Sequence, residues 1–355
     1  MPETLETSVN KDASHIQKKI LSEPDYVDRS PLILGTVKFL VKFLADFGIG
    51  NFRIVNVRSM NVYMPIETRS CLDKMILDGG YRVMFFPRHT SLLETITIAR
   101  ELDRMGYQTP HIVAGDNLFK GKYVVLSLTK SGMVVSDRTG LTKAEATRNL
   151  QLKEKYVLNK NQSIEVFAYD GRSKDGCTPS MKTTSIQVAI DLNTTIIPAN
   201  EDCFQIPEES NLIAHTGTPY TFKFGHFFTT WAFRNLGDIR MTFGRPIIPS
   251  DISKNRNELA KYVREQMMDL IQIYSRNVVA FSKMQQIDAK YDHPVEYYIM
   301  KNQEKLVSQS TKFIDFTLES TVEELIFKAK LADKDPRALK LYGNPIRHYV
   351  DGMYG

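Results

Sequence analysis

The chain has little cysteine. Of its 355 residues only Cys71, Cys177 and Cys203 are thiols, odd in number and far apart. That pattern excludes a disulfide framework or a CxxC metal site and fits a reducing compartment. HExxH and Cys/His clusters are missing too, so no metal is indicated. Neither the phosphate-cradling G-x-x-x-x-G-K loop nor G-x-G-x-x-G occurs, which leaves ATP or NAD binding without support. A G-x-S-x-G elbow for a serine nucleophile is also lacking. No uncharged apolar run reaches the roughly 18 residues of a membrane span. Residues 1–19 are polar with mixed charges, unlike a signal peptide.

What is present describes a globular protein, 42% hydrophobic and 25% charged, long enough for one large domain with appendages or for two. The net charge of +5 suits anionic small molecules or an anionic membrane surface. It falls short of the dense basic stripe that nucleic acid requires.

The most informative stretch runs from Phe85 to Glu94. Tyr81 to Phe86 reads as a buried strand ending at Pro87, with His89 on the turn. Ser91 then opens an amphipathic helix to about Met105, with Leu92, Leu93, Ile96, Ile98, Ala99 and Leu102 as its apolar positions. A turn histidine followed by a carboxylate in the first helical turn can act as a general-base pair, the carboxylate holding one ring nitrogen while the other faces a hydroxyl. The same spacing, Ser91-x-x-Glu94, serves equally as a capping box, and an exposed turn histidine needs no function.

Strands read at His111–Ala114, Met133–Val135, Ile164–Tyr169, Thr195–Pro198 and Ile239–Phe243, with helices at Thr142–Asn159 and Lys182–Leu192. This alternation predicts an α/β fold with a largely parallel sheet flanked by helices. In such sheets functional groups gather beyond the carboxyl ends of the strands, where His89, Asp116, Arg138 and Arg172 all fall. The loop Asp170–Gly176 holds Gly171, Gly176, Arg172 and Lys174, suited either to close approach by an anion or to a solvated turn. Arg138 can equally pair with Asp137. Lys182 opposes the dipole of its own helix unless an anion sits nearby.

Upstream, Ser30-Pro31 starts a helix to about Phe47 whose polar stripe is Lys38, Lys42 and Asp46. Such a helix lies against a core or dimer partner, or in a membrane interface. Downstream, Phe222–Trp231 is aromatic-rich and Asn255-x-x-Glu258 signals a helix carrying Leu259 through Tyr274. A further helix is signalled by Ser320-x-x-Glu323. These boundaries suggest an N-terminal helical segment (1–54), a central domain (55–254) and a C-terminal helical extension (255–355).

Taken in order, these motifs resemble the glycerolipid acyltransferases of the H-x-x-x-x-D type, most closely the glycerol-3-phosphate and dihydroxyacetone-phosphate branch. His89 to Glu94 matches the first block, with Glu where the family has Asp. Pro110 to Leu118 follows the linking segment P-x-I-A-A-G-x-N-L. Gly132 to Arg138 matches the second block and keeps its last arginine. Ile164 to Ser173 matches the third, keeping Arg172 and Ser173 but placing Tyr169 where the family has glutamate. Ile196-Ile197-Pro198 matches the fourth.

The resemblance implies transfer of a fatty acyl group from acyl-CoA or acyl-carrier protein to glycerol 3-phosphate in phospholipid biosynthesis. In that reading His89 and Glu94 are catalytic, and Arg138, Gly171, Arg172, Ser173 and Lys182 bind substrate. It implies no cofactor beyond the acyl donor, and a cytoplasmic protein peripheral on the inner face of a membrane. The two departures mark a divergent member. Dihydroxyacetone phosphate, a lysophospholipid or another alcohol is the alternative acceptor; an inactive acyl-CoA- or lipid-binding homologue is the alternative class.

Overall fold

The computed structural model describes residues 57–91, 93–115, 132–136, 141–169, 173, 175–203, 206, 209, 237–290, 292–309, 316, 319–329, 331 and 336–351. The expected helix near 30–47, the aromatic stretch 222–231, and Asp116, Arg138, Gly171 and Arg172 lie outside these residues.

Among the described residues seven strands form one sheet: β1 (Val57–Tyr63), β2 (Val83–Pro87), β3 (His111–Gly115), β4 (Met133–Ser136), β5 (Ile164–Glu165), β6 (Thr195–Cys203) and β7 (Gly237–Phe243). Their order is β1-β7-β6-β2-β5-β3-β4. From β6 to β4 every pairing is parallel; β7 runs antiparallel to β6 and carries β1 parallel beside it.

Both faces of the sheet are covered, so its central strands are apolar without alternation. Successive residues of β2 serve opposite cores. Val83 and Phe85 join Ile197, Ala199 and Phe243 beneath α1 (Ile66–Leu77) and α2 (Leu93–Arg104), which supply Leu72, Ile98 and Leu102. Met84 and Phe86 join Ile164, Val166 and Ile196 on the other face. There α3 (Lys143–Asn159) and α4 (Thr184–Leu192) contribute Val157, Leu158, Ile186 and Ala189.

Local signals set the helix ends. Thr142 and Glu145 close a capping box at the start of α3. Asn193, in the left-handed region at φ 44°, stops α4. Two expectations need correction here. Lys182 lies ahead of α4, which begins at Thr184. The strand expected over Ile164–Tyr169 keeps only Ile164 and Glu165: Phe167 O takes the N–H of Tyr169 (2.8 Å), so the chain turns out of the sheet.

After the short α5 (Pro249–Ile252), α6 (Arg256–Met268) places Leu259, Val263 and Met267 in the sheet's core. It ends before Leu270–Tyr274, contrary to the expected longer helix. Asn255 caps it alone, because Glu258 turns back to the Ser253 hydroxyl at 2.6 Å. A second break starts α7 (Ser275–Asp288), where Asn277 Oδ1 accepts the N–H of Tyr274.

Helices α8 (Val295–Gln309), α9 (Val322–Ala329), α10 (Pro336–Gly343) and α11 (Arg347–Asp351) follow. With α7 they enclose their own core of Val278, Phe281, Ile299, Leu306, Leu325, Leu339 and Ile346. The capping box of α9 sits one residue beyond the expected one: Thr321 and Glu324, not Ser320 and Glu323, exchange the two bonds. Among the described residues no helix is long and apolar enough to cross a membrane.

Candidate active site

The carboxyl end of β2 places His89 on the turn into α2. Pairing with β6 extends one residue past the strand, through Arg88 N–H to Ala199 O (3.0 Å), so the backbone is still held when it reaches the histidine. His89 Nδ1 lies 3.0 Å from Glu94 Oε2, and its ring packs on Phe167 with centroids 4.1 Å apart.

Glu94 is fully buried and is held at both oxygens. Oε1 accepts the Thr90 N–H (2.5 Å), the Thr90 hydroxyl (2.5 Å) and the Ser91 N–H (2.7 Å), leaving Oε2 directed at His89. Glu94 thus makes both a helix-start bond and the contact with His89, one with each oxygen. Three donors on one oxygen lock the carboxyl rotamer, and a locked carboxylate fixes which imidazole nitrogen carries the proton.

Further carboxyl groups lie under the same helix. In parallel pairing Glu165 is registered with Phe85, so it shares the face that α2 covers. Glu201 has the parity of Ile197 and Ala199 and accepts the Thr97 hydroxyl from α2. Burial pushes the Glu165 carboxyl well above the usual carboxylate range, and the nearby charges of Glu94 and Glu201 push it the same way. Burial also raises Asp202 to about 6, opposed by the guanidinium of Arg88 at 3.5 Å.

Arg88 itself is 2% exposed. Its Nε donates to Thr178 Oγ1 (3.1 Å) and its Nη2 to Gly176 O (3.0 Å). Through these bonds β2 and the 173–178 loop are tied together, and Ser173 N–H adds a bond to His89 O at 3.0 Å. A cavity opens here, its lining including Arg88, Thr90, Ser91, Ser173, Glu201 and Asp202 together with Ile206, Tyr274, Leu341 and Tyr342.

Of the residues expected at the site, the structure therefore brings together His89, Glu94 and Ser173. Lys182 is half-buried at the base of the same loop, where its N–H bonds Ala168 O at 2.7 Å. Arg138, Gly171 and Arg172 fall outside the described residues. Tyr169, which stands at the family's glutamate position, is 4% exposed in the core beneath α6, where its hydroxyl lies 3.8 Å from Met267 Sδ. It is a core residue in this chain.

Sequence reasoning missed Arg88, Glu165, Phe167, Glu201 and Asp202. A charged residue inside the apolar run Ile164–Ala168 marked Glu165, and the strand-end rule that singled out His89 applies equally to Glu201 and Asp202. Nothing local marked Arg88 as inward-facing. Among the described residues no group of His, Cys, Asp or Glu side chains is arranged to hold a metal ion.

The site is thus a His–Glu pair at the end of the second strand of a largely parallel α/β sheet, with the glutamate buried and the histidine partly accessible. Residues 70–200 match the family described as Acyltransferase, a stretch that runs from within α1 through most of β6. The match supports acyl transfer as the chemistry of this part of the chain. Among solved structures, the 1-acyl-sn-glycerophosphate (LPA) acyltransferase PlsC from Thermotoga maritima is similar at 18% identity with a TM-score of 0.44, over 67% of this chain and 78% of that one. No curated protein matches the chain.

Proposed function

We propose that the protein transfers a fatty acyl group from acyl-CoA or an acyl-carrier protein to a hydroxyl of glycerol 3-phosphate, with His89 as general base. The observation that carries this reading is the His89–Glu94 pair at 3.0 Å, with Glu94 immobilised by Thr90 and Ser91. With Nδ1–H directed at Glu94, Nε2 is the nitrogen that takes the acceptor's hydroxyl proton as that oxygen attacks the thioester carbonyl. The tetrahedral intermediate collapses with loss of the thiolate, and the imidazolium returns the proton to the leaving sulfur. Glu94 stabilises the imidazolium between these steps, as in a triad whose serine is replaced by the acceptor itself.

Base catalysis of this kind supplies about 10²–10⁴-fold; positioning and stabilisation of the oxyanion supply the rest. Arg138, Arg172 and Lys182 are assigned to the acceptor's phosphate, and Gly171 and Ser173 to the loop that approaches it. The net basic charge and the family resemblance support a working position on the inner face of a membrane.

The test is incubation of purified protein with labelled acyl-CoA and glycerol 3-phosphate, with the lipid product identified by mass. An acylated glycerol phosphate is the expected product, and its absence overturns this acceptor.

One observation favours a second reading of the acceptor. Among the described residues the cavity that Thr90 and Ser91 line is also lined by Glu201 and Asp202, and its one lining cation, Arg88, is engaged by Asp202 and Gly176 O. Such a wall suits a hydroxyl-bearing acceptor without a phosphate at that position. Running dihydroxyacetone phosphate, a lysophospholipid and a phosphate-free alcohol in the same assay decides between the readings.

A further inference from the structure

The C-terminal helices contribute to the cavity as well as to their own core. Leu341, Tyr342 and Pro345 line it, together with Asn277 from α7. One of their contacts with the rest of the chain falls on the loop that touches His89. Asn344, 9% exposed, donates from Nδ2 to Asp175 O at 2.8 Å. Next to it Gly176, at φ +80°, lies so close to the end of α10 that a Cβ there would be 2.4 Å from Leu341 O and 2.9 Å from Lys340 O. Only glycine permits that approach and that backbone angle together. On its other side Gly176 O receives Arg88, and Ser173 N–H reaches His89 O.

We infer that the C-terminal helices are a clamp on the substrate loop, with Asn344 as its positioning residue. The clamp holds Asp175 and Gly176 from one side while Arg88 and His89 hold Gly176 and Ser173 from the other. Asn344 touches no reacting group. It acts through the loop, whose sequence carries Arg172 immediately before Ser173. The end of α10 is itself fixed, because Asn277 Nδ2 donates to Tyr342 O at 2.8 Å and Gly343 packs with no room for a side chain against Phe281 and Met284. A displaced loop holds the acceptor less well, and a loss of that kind raises KM while leaving kcat nearly unchanged.

This inference rests on the acyltransferase reading, and its test separates the two. Full-length Asn344→Ala and the near-isosteric Asn344→Asp are compared with wild type by hydrogen exchange and by acyl transfer from labelled acyl-CoA to glycerol 3-phosphate. Faster exchange over residues 173–183, with unchanged exchange in β2 and β6, is expected for both variants. The KM for the acceptor is expected to rise about fivefold or more with kcat within about twofold, the signature of a loss confined to acceptor binding.

Unchanged exchange over 173–183 overturns the clamp. Faster exchange with wild-type KM overturns the positioning role. If wild type transfers no acyl group to any acceptor, the functional reading fails, and the exchange result alone decides whether the clamp exists.

Discussion

Two glutamates in this molecule are equally buried and differently held. Glu94, in the first turn of α2, is fully inaccessible and receives two N–H groups and a hydroxyl on one oxygen and His89 on the other. Glu154, in the second half of α3, is also fully inaccessible, but among the described residues its Oε1 accepts the Ser185 hydroxyl (2.5 Å) and its Oε2 has no partner. Burial pushes the Glu154 carboxyl up to about 8, with the Ser185 bond opposing. Burial by itself therefore does not decide what a carboxyl group does in this fold. The number and kind of donors around it decide, since each can offset part of the lost hydration. The donor-rich glutamate lies beside a histidine at a strand end, and the donor-poor one lies between two helices.

The largest expected effect is at the donor-rich site. His89→Ala should fold normally and lower acyl transfer by about 10²–10⁴-fold, measured with labelled acyl-CoA. Transfer at the wild-type rate would remove His89 from the chemistry.

Glu94→Gln sharpens the contrast within one side chain. Its amide oxygen can still take Thr90 and Ser91, so unfolding free energy should stay within about 1 kcal/mol of wild type. Its amide nitrogen, however, presents a donor to Nδ1 and forces the wrong tautomer, lowering transfer by on the order of 10²-fold or more. Glu94→Ala should lose stability as well as rate, because it leaves buried N–H groups unmatched at about 1–3 kcal/mol each. Equal activity of the Gln variant and wild type would reduce Glu94 to a helix cap.

At the donor-poor site the effect is on stability against pH. The Glu154 carboxyl is raised in the folded chain from 4.5 to about 8, so its contribution is complete below the lower value and is lost as pH rises through the upper one. Glu154→Gln should match wild type near pH 4 and exceed it near pH 9 by on the order of a few kcal/mol in denaturant unfolding, with transfer unaffected. Parallel pH profiles for the two proteins would show that Glu154 is solvated. Ser185→Ala, the smallest change, removes the single donor and should cost about 0.5–1.5 kcal/mol.

How much of this was legible in sequence varied with the distance between partners. The His89–Glu94 pair was visible because strand, turn, base and carboxylate fit within one short run. The helix starts at 142 and 255 were visible because a cap acts over three residues. The ambiguity at α9 was of the same local kind. Ser320–Glu323 and Thr321–Glu324 have identical spacing, and only the backbone angle of entry chooses between them. The strand expected over Ile164–Tyr169 was overextended because an apolar run buried on all sides looks the same whether it stays in a ladder or leaves it. Arg88 was illegible: its partners at Gly176, Thr178 and Asp202 are brought to it only by the order of the sheet.

By itself, the sequence determined the alternation of strands and helices, the His–Glu turn and some of the helix starts, since each depends on contacts between near neighbours. The tertiary structure decided which oxygen of Glu94 serves which role, which carboxyls crowd beneath α2, and that the C-terminal helices close on the loop at Gly176. Those outcomes depend on groups far apart in the chain, and only packing sets the distances between them.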